Sequence, residues 1–109
     1  DLTYTYNRGQ SIQLSRDICQ SIGRSVDTRI IGIKNANYCV LREACIPAIL
    51  VEVGFLSNRK EEKLLNEPGY RQKIAEGIEL GIYDYASESF GSRTERTKYS
   101  FAKSKEGAR

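Results

Sequence analysis

Pro47-Ala48-Ile49-Leu50-Val51-Glu52-Val53-Gly54 is an apolar run interrupted once, by a carboxylate. Proline cannot donate to a β-ladder, so Pro47 suits the first residue of a strand. Ala48 to Val53 lacks the polar alternation of a half-exposed strand and reads as a strand buried on both faces. On such a strand Ile49, Val51 and Val53 share one side, and Leu50, Glu52 and Gly54 share the other. An isolated ionised carboxylate in an apolar strand is costly unless it is paired. Ligand sites in open α/β sheets lie beyond the carboxyl ends of the strands. Glu52 is therefore a candidate general base or water-orienting group. The competing reading is a salt bridge to a nearby cation such as Arg42. Gly54 beside Glu52 leaves room for something to approach.

Working outward, Gly54-Phe55-Leu56-Ser57-Asn58 reads as a turn into a helix. Ser57 or Asn58 is placed to cap it, with Glu61 and Glu62 where a capping box wants a carboxylate. That helix ends near Asn66-Glu67-Pro68-Gly69. A longer one follows from Tyr70 to Ala86, with Ile74, Ala75, Ile78, Ile82 and Tyr85 on one stripe. Gly77 and Gly81 lie inside it, at a cost of about 1 kcal/mol each relative to alanine, which close packing on a sheet would explain. Upstream, Ile30 to Ile33 is a short apolar run broken by Gly32, and Tyr38-Cys39-Val40-Leu41 is a second apolar run that reads as a strand. Leu14, Ile18, Cys19 and Ile22 fall at helical spacing, with Ser11 as cap and Gly23 as stop. Leu2-Thr3-Tyr4-Thr5-Tyr6 alternates with period two and reads as a strand closed by Asn7-Arg8-Gly9. Strands mixed with helices, one strand doubly buried, predict an α/β fold: three layers, helices packed on a central, mostly parallel or mixed sheet.

The chain has 109 residues, 39% of them hydrophobic and 28% charged, which is ordinary globular material with room for one domain. From Asp1 to Ser87 there are 11 basic and 11 acidic residues, so the net charge of +3 sits wholly in residues 88–109. Two parts are expected: a body, residues 1–87, and a basic tail, residues 88–109, disordered or loosely attached. A neutral body gives no reason to expect nucleic-acid binding. No apolar run approaches the roughly 20 residues of a membrane span, and no secretory signal is present in the sequence given. Three cysteines without CxxC spacing favour neither a zinc cluster nor a disulfide framework. Cys19 and Cys39 read as small buried hydrophobes. The absence of histidine removes the imidazole base and the imidazole metal ligand.

The run Pro47 to Asn58, preceded by Val40-Leu41-Arg42 and by Gly32-Ile33-Lys34-Asn35-Ala36, resembles the C-terminal signature of zinc-dependent N-acetylmuramoyl-L-alanine amidases. These are cell-wall hydrolases of bacteria and their phages. The helix at Ser11 to Ile22 and the one at Tyr70 to Tyr85 resemble the family's flanking helices, so the likeness covers roughly residues 2–87. In that family one zinc, held by two histidines and a glutamate, activates a water against the amide between the muramic acid lactyl group and L-alanine.

The resemblance implies that Glu52 matches the catalytic acid/base, not a metal ligand. It implies that Arg42 contacts the stem peptide or steers Glu52, with a salt bridge to Glu43 or Glu52 as the alternative. The implied partners are peptidoglycan (a muramoyl peptide) and the N-terminal half of the domain; no nucleic acid and no membrane are implied. The family's zinc ligands all precede the matched segment. The resemblance therefore implies only the C-terminal half of the catalytic domain, with no metal residue in this chain and no zinc bound to it. Ile31 also stands where many relatives carry arginine. The expected place of action is the cell wall or extracellular space, with cytoplasmic synthesis and later release compatible with the sequence given. The contrasting expectation is a metal-free, catalytically silent remnant or cell-wall-binding module.

Overall fold

A computed structural model of the chain describes residues 2–28, 32–35 and 37–90. Four helices follow in order: α1 (Leu2–Ser25), α2 (Cys39–Arg42), α3 (Arg59–Asn66) and α4 (Pro68–Phe90). Among the described residues there is no strand. The predicted three-layer α/β fold is thus replaced by a helical pair, α1 against α4, with an extended segment laid over it.

The first correction is at the N-terminus, where Leu2 to Tyr6 is the opening of α1 and not a strand. Threonine and tyrosine cost a helix only about 0.7 kcal/mol each or less. Extending a helix already nucleated at Ser11 to Ile22 fixes one residue per added bond, so local preference yields. Gly23 does not stop α1, which runs on to Ser25. There the Ser25 hydroxyl donates to the Ser21 carbonyl at 2.9 Å, and the Val26 amide donates to Ile22 at 3.0 Å.

Tyr38 to Leu41 is also no strand, because Cys39–Arg42 forms a single helical turn. Leu41 and Arg42 both donate to the Tyr38 carbonyl, at 3.1 and 2.9 Å. Ile30 and Ile31 lie outside the described residues.

Ala48 to Val53 carries strand composition without a strand. A strand exists by ladder bonds to a neighbour, and among the described residues this segment has none. Its β-branched residues report a fit to a half-buried surface, and that surface is helical here. Ile49 and Val51 pack on the core, while Leu50, Glu52 and Val53 are exposed. The segment is therefore buried on one side, not two.

The second half follows the sequence more closely. The Asn58 side chain caps α3, accepting from the Lys60 and Glu61 amides at 3.0 and 3.3 Å. Pro68 opens α4, where a missing N–H costs nothing. The Arg71 guanidinium donates to the Leu65 carbonyl at 2.7 Å, serving an acceptor that the end of α3 leaves open. α4 extends to Phe90; residues 91–109, most of the expected extension, lie outside the described residues.

The core is Ile18, Ile22 and Val26 with Ile74, flanked by Leu14, Ile49, Val51, Tyr70 and Ile78. α4 buries Ile74, Gly77, Gly81 and Tyr85, whereas Ala75 and Ile82 of the predicted stripe are exposed. The two glycines explain the rotation. A Cβ on Gly77 would stand 3.1 Å from the Ile22 Cα, and one on Gly81 would stand 2.5 Å from the Ile18 Cα. The close packing expected of these glycines is real, but the partner is helix α1 and not a sheet. Advancing four residues along α4 moves four back along α1, so the helices are antiparallel.

Gly81→Ala should therefore destabilise the chain by about 1–3 kcal/mol, the usual cost of overpacking, despite alanine's better helix propensity. Gly9→Ala, where nothing lies within 4 Å of the added carbon, should stabilise it by up to about 1 kcal/mol. Urea titrations followed by circular dichroism at 222 nm (a helix signal) measure both. A neutral Gly81→Ala would disprove the close crossing.

Candidate functional site

Glu52 stands on the outward side of the extended segment. Alternation sets this: Ile49 and Val51 turn toward α1 and α4, so Leu50 and Glu52 turn away. The residue is exposed, and among the described residues its carboxylate makes no hydrogen bond or ion pair. Exposure removes the desolvation cost that a doubly buried strand would have imposed.

The segment is held at both ends. At the start, the Ala48 amide donates to the Ser11 hydroxyl of α1 at 3.0 Å. At the far end Gly54, with a positive φ of 154°, lies against Leu65 and Glu61, where a Cβ would come within 3.3 Å of the Leu65 side chain. The next amide, Phe55, donates to the Glu61 carboxylate at 3.3 Å. Glu61 therefore reaches back past Asn58 toward the turn, in the manner of a capping-box carboxylate.

Arg42 closes the short helix α2 and is exposed. Its Nη1 donates to the Asn37 side-chain oxygen at 3.2 Å. Among the described residues neither Glu43 nor Glu52 pairs with it, and the bond it makes to Asn37 is local and neutral.

Other chemical groups lie apart from this pair. Asp17, on α1, is the buried carboxylate of the described residues: Gln13 donates to its Oδ1 at 3.3 Å, and its Oδ2 has no partner. Periodicity did not single it out, because an aspartate next to an apolar stripe ordinarily reads as a solvent-facing residue. Ser11, read as a helix cap, lies inside α1 and bonds a residue 37 positions away. Among the described residues no group of three or more His, Cys, Asp or Glu side chains is placed to hold a metal ion. An open depression of about 450 Å³ along α3 is lined by Arg59, Lys60, Glu62, Lys63 and Asn66, with neither Glu52 nor Arg42 in it. It is a solvated charged helix face. No helix among the described residues is long and apolar enough to cross a membrane.

The three cysteines are free. Cys39 and Cys45 are exposed, which corrects the buried reading of Cys39; Cys19 is half-buried. Cys39 loses its predicted cover because, among the described residues, no sheet forms around it. Burial pushes the Cys19 thiol above its ordinary value of 9.0, because the thiolate is the form that loses solvation. With an Ellman-type disulfide reagent at pH 8, Cys39 and Cys45 should react first. Cys19 should lag by about tenfold until denaturant is added. The raised value also contributes stability that is present below pH 9 and lost as pH rises through the folded-state value. Three equal rates in the native chain would contradict the burial.

The pattern of the N-acetylmuramoyl-L-alanine amidase family matches residues 2–84. An uncharacterised cell wall amidase of Bacillus anthracis is 40% identical over 72 residues, 66% of this chain and 14% of that protein. The N-acetylmuramoyl-L-alanine amidase AmiC of Neisseria meningitidis is 36% identical over 89 residues, 82% of this chain and 21% of its own length. AmiA of Salmonella typhimurium, described as the same activity, is 35% identical over 85 residues, 78% of this chain and 29% of its own length. The chain thus spans well under half the length of these curated relatives. No solved structure matches it.

Proposed function

Because this chain belongs to the N-acetylmuramoyl-L-alanine amidase family, we propose that it supplies the acid/base edge of a peptidoglycan hydrolase. The bond cleaved is the amide between N-acetylmuramic acid and L-alanine. The observation that carries the reading is the family match running through Glu52, an exposed carboxylate without a partner among the described residues, on a segment pinned at both ends. Glu52 accepts a proton from the attacking water as its oxygen bonds to the carbonyl carbon. The same proton passes to the nitrogen as the C–N bond breaks, leaving a lactyl carboxyl group and the free amine of L-alanine. Arg42, released from Asn37, takes a carboxylate or carbonyl of the stem peptide. Residues 1–87 form the working body in this reading, and 88–109 are an extension. The place of action is the cell wall, as the names of the relatives suggest.

The family's zinc supplies a polarised carbonyl and an acidified water when bound. The residues of this chain do not fit that ion. The sequence has no histidine, and the described residues contain no cluster of metal-ligating side chains. No step is therefore assigned to a metal here, and the ligands would come from an N-terminal half of the domain. The same lack of histidine favours the second reading, a metal-free, silent remnant or cell-wall-binding module.

Zinc content, hydrolysis and peptidoglycan binding separate the readings. The purified chain at neutral pH should carry no stoichiometric zinc, and by itself should release no L-alanine amino groups from peptidoglycan. Supplied with the N-terminal part of an amidase relative's catalytic domain, it should begin to release them. In that assembly Glu52→Gln should cut the rate by about 10²–10⁴-fold, with zinc content and helix signal unchanged. One tight zinc per isolated chain would overturn the metal assignment. Full activity in folded Glu52→Gln would remove Glu52 from the chemistry. Binding to insoluble peptidoglycan without release in either setting would select the second reading.

A further inference from the structure

We propose that Ser11 is a positioning residue for Glu52. This rests on the acid/base reading of Glu52 given above, but its test does not depend on turnover.

Serine inside a helix ordinarily turns its hydroxyl back on its own backbone. Ser25 of α1 does so, donating to the carbonyl four residues earlier at 2.9 Å. Ser11 on the same helix is used differently. It accepts the Ala48 amide at 3.0 Å across 37 residues of sequence, in a partly buried setting. That bond joins the helical pair to the segment that carries Glu52. Ala48 is four residues from Glu52, about 13 Å along extended backbone. Between them Ile49 and Val51 pack on the core formed by Ile18, Ile22, Val26 and Ile74.

The contacts divide the labour. Apolar packing presses the segment onto the helices but is non-directional, and does not by itself fix how far the segment slides along them. A hydrogen bond is directional, and this one sets the register at the entry. The Phe55 amide on Glu61 sets it at the exit. The alternation that points Glu52 outward is only as well defined as that register, because a slip of one residue exchanges the inner and outer sides. A slip would bury Glu52 and expose Val51. Ser11 therefore acts on the carboxylate through the backbone.

The test uses the full 109-residue chain and amide hydrogen exchange, read residue by residue by NMR. Ser11→Ala removes the acceptor and should speed exchange at Ala48 by about tenfold or more. Residual dipolar couplings of the amides 48–52 should shrink, while those of α1 and α4 stay as they were. Ser11→Thr keeps the hydroxyl and should restore both signals. A role confined to helix stability would move α1 and α4 amides and the melting temperature while leaving 48–52 no worse than the rest. That result, or an unchanged Ala48 in Ser11→Ala, overturns the proposal. If Glu52 proves inert in the hydrolysis assay while the couplings respond as stated, the acid/base reading fails and the register role of Ser11 stands.

Discussion

The rest of the structure depends on how closely α4 can approach α1. At the crossing a side chain on residue 81 would collide with the backbone of Ile18, and one on residue 77 would press on Ile22. Glycine at both places lets the two helix backbones meet directly. That contact decides which face of α4 is buried, and it turns Ala75 and Ile82 out to solvent while Ile74 and Tyr85 turn in. It also decides the direction of the pair, since each step forward on α4 is a step back on α1. The glycines weaken α4 as an isolated helix. What they contribute is room, and the compensation comes from the apolar cluster that the close approach creates.

The same cluster creates the seat for the extended segment. Ile49 and Val51 reach the core beside Leu14, Tyr70 and Ile78, and the outward position of Glu52 is the consequence. The polar contacts at either end are few and specific: one hydroxyl from α1 and one carboxylate from α3. Glu61 serves the turn and the segment at once, so the start of α3 and the far end of Glu52's segment are a single local structure. Arg42, by contrast, is held among the described residues by its own neighbourhood, through Asn37. The described structure does not join it to Glu52.

Legibility in the sequence varied with the range of the interaction responsible. The cap at Asn58, the carboxylates of the first turn of α3, the break at Pro68 and the helical spacing of Leu14, Ile18 and Ile22 are effects over a few residues, and they are found where expected. The family resemblance read from Pro47 to Asn58 agrees with the match over residues 2–84. The α/β sheet was misread because β-branched composition records what a segment packs against, not whether a ladder partner exists. Tyr38 to Leu41 and Leu2 to Tyr6 failed in a related way, since weak local preference is overridden by helical hydrogen bonding. Local spacing puts Ser11 at a helix start, and its bond to Ala48 is invisible at any local range.

The sequence by itself determined the chemical inventory: a single carboxylate in the apolar run, no imidazole anywhere, and a balanced charge over residues 1–87. It also determined the helix ends at Asn58 and Pro68, because caps and missing donors act on adjacent backbone. Tertiary structure alone decided that Gly77 and Gly81 face a helix, that Ala48 to Val53 lies across it without a ladder partner among the described residues, and that Ser11 holds the entry to the segment of Glu52. Each of these joins residues tens of positions apart. Their free energy comes from burial and register between segments, and no stretch of sequence contains both partners.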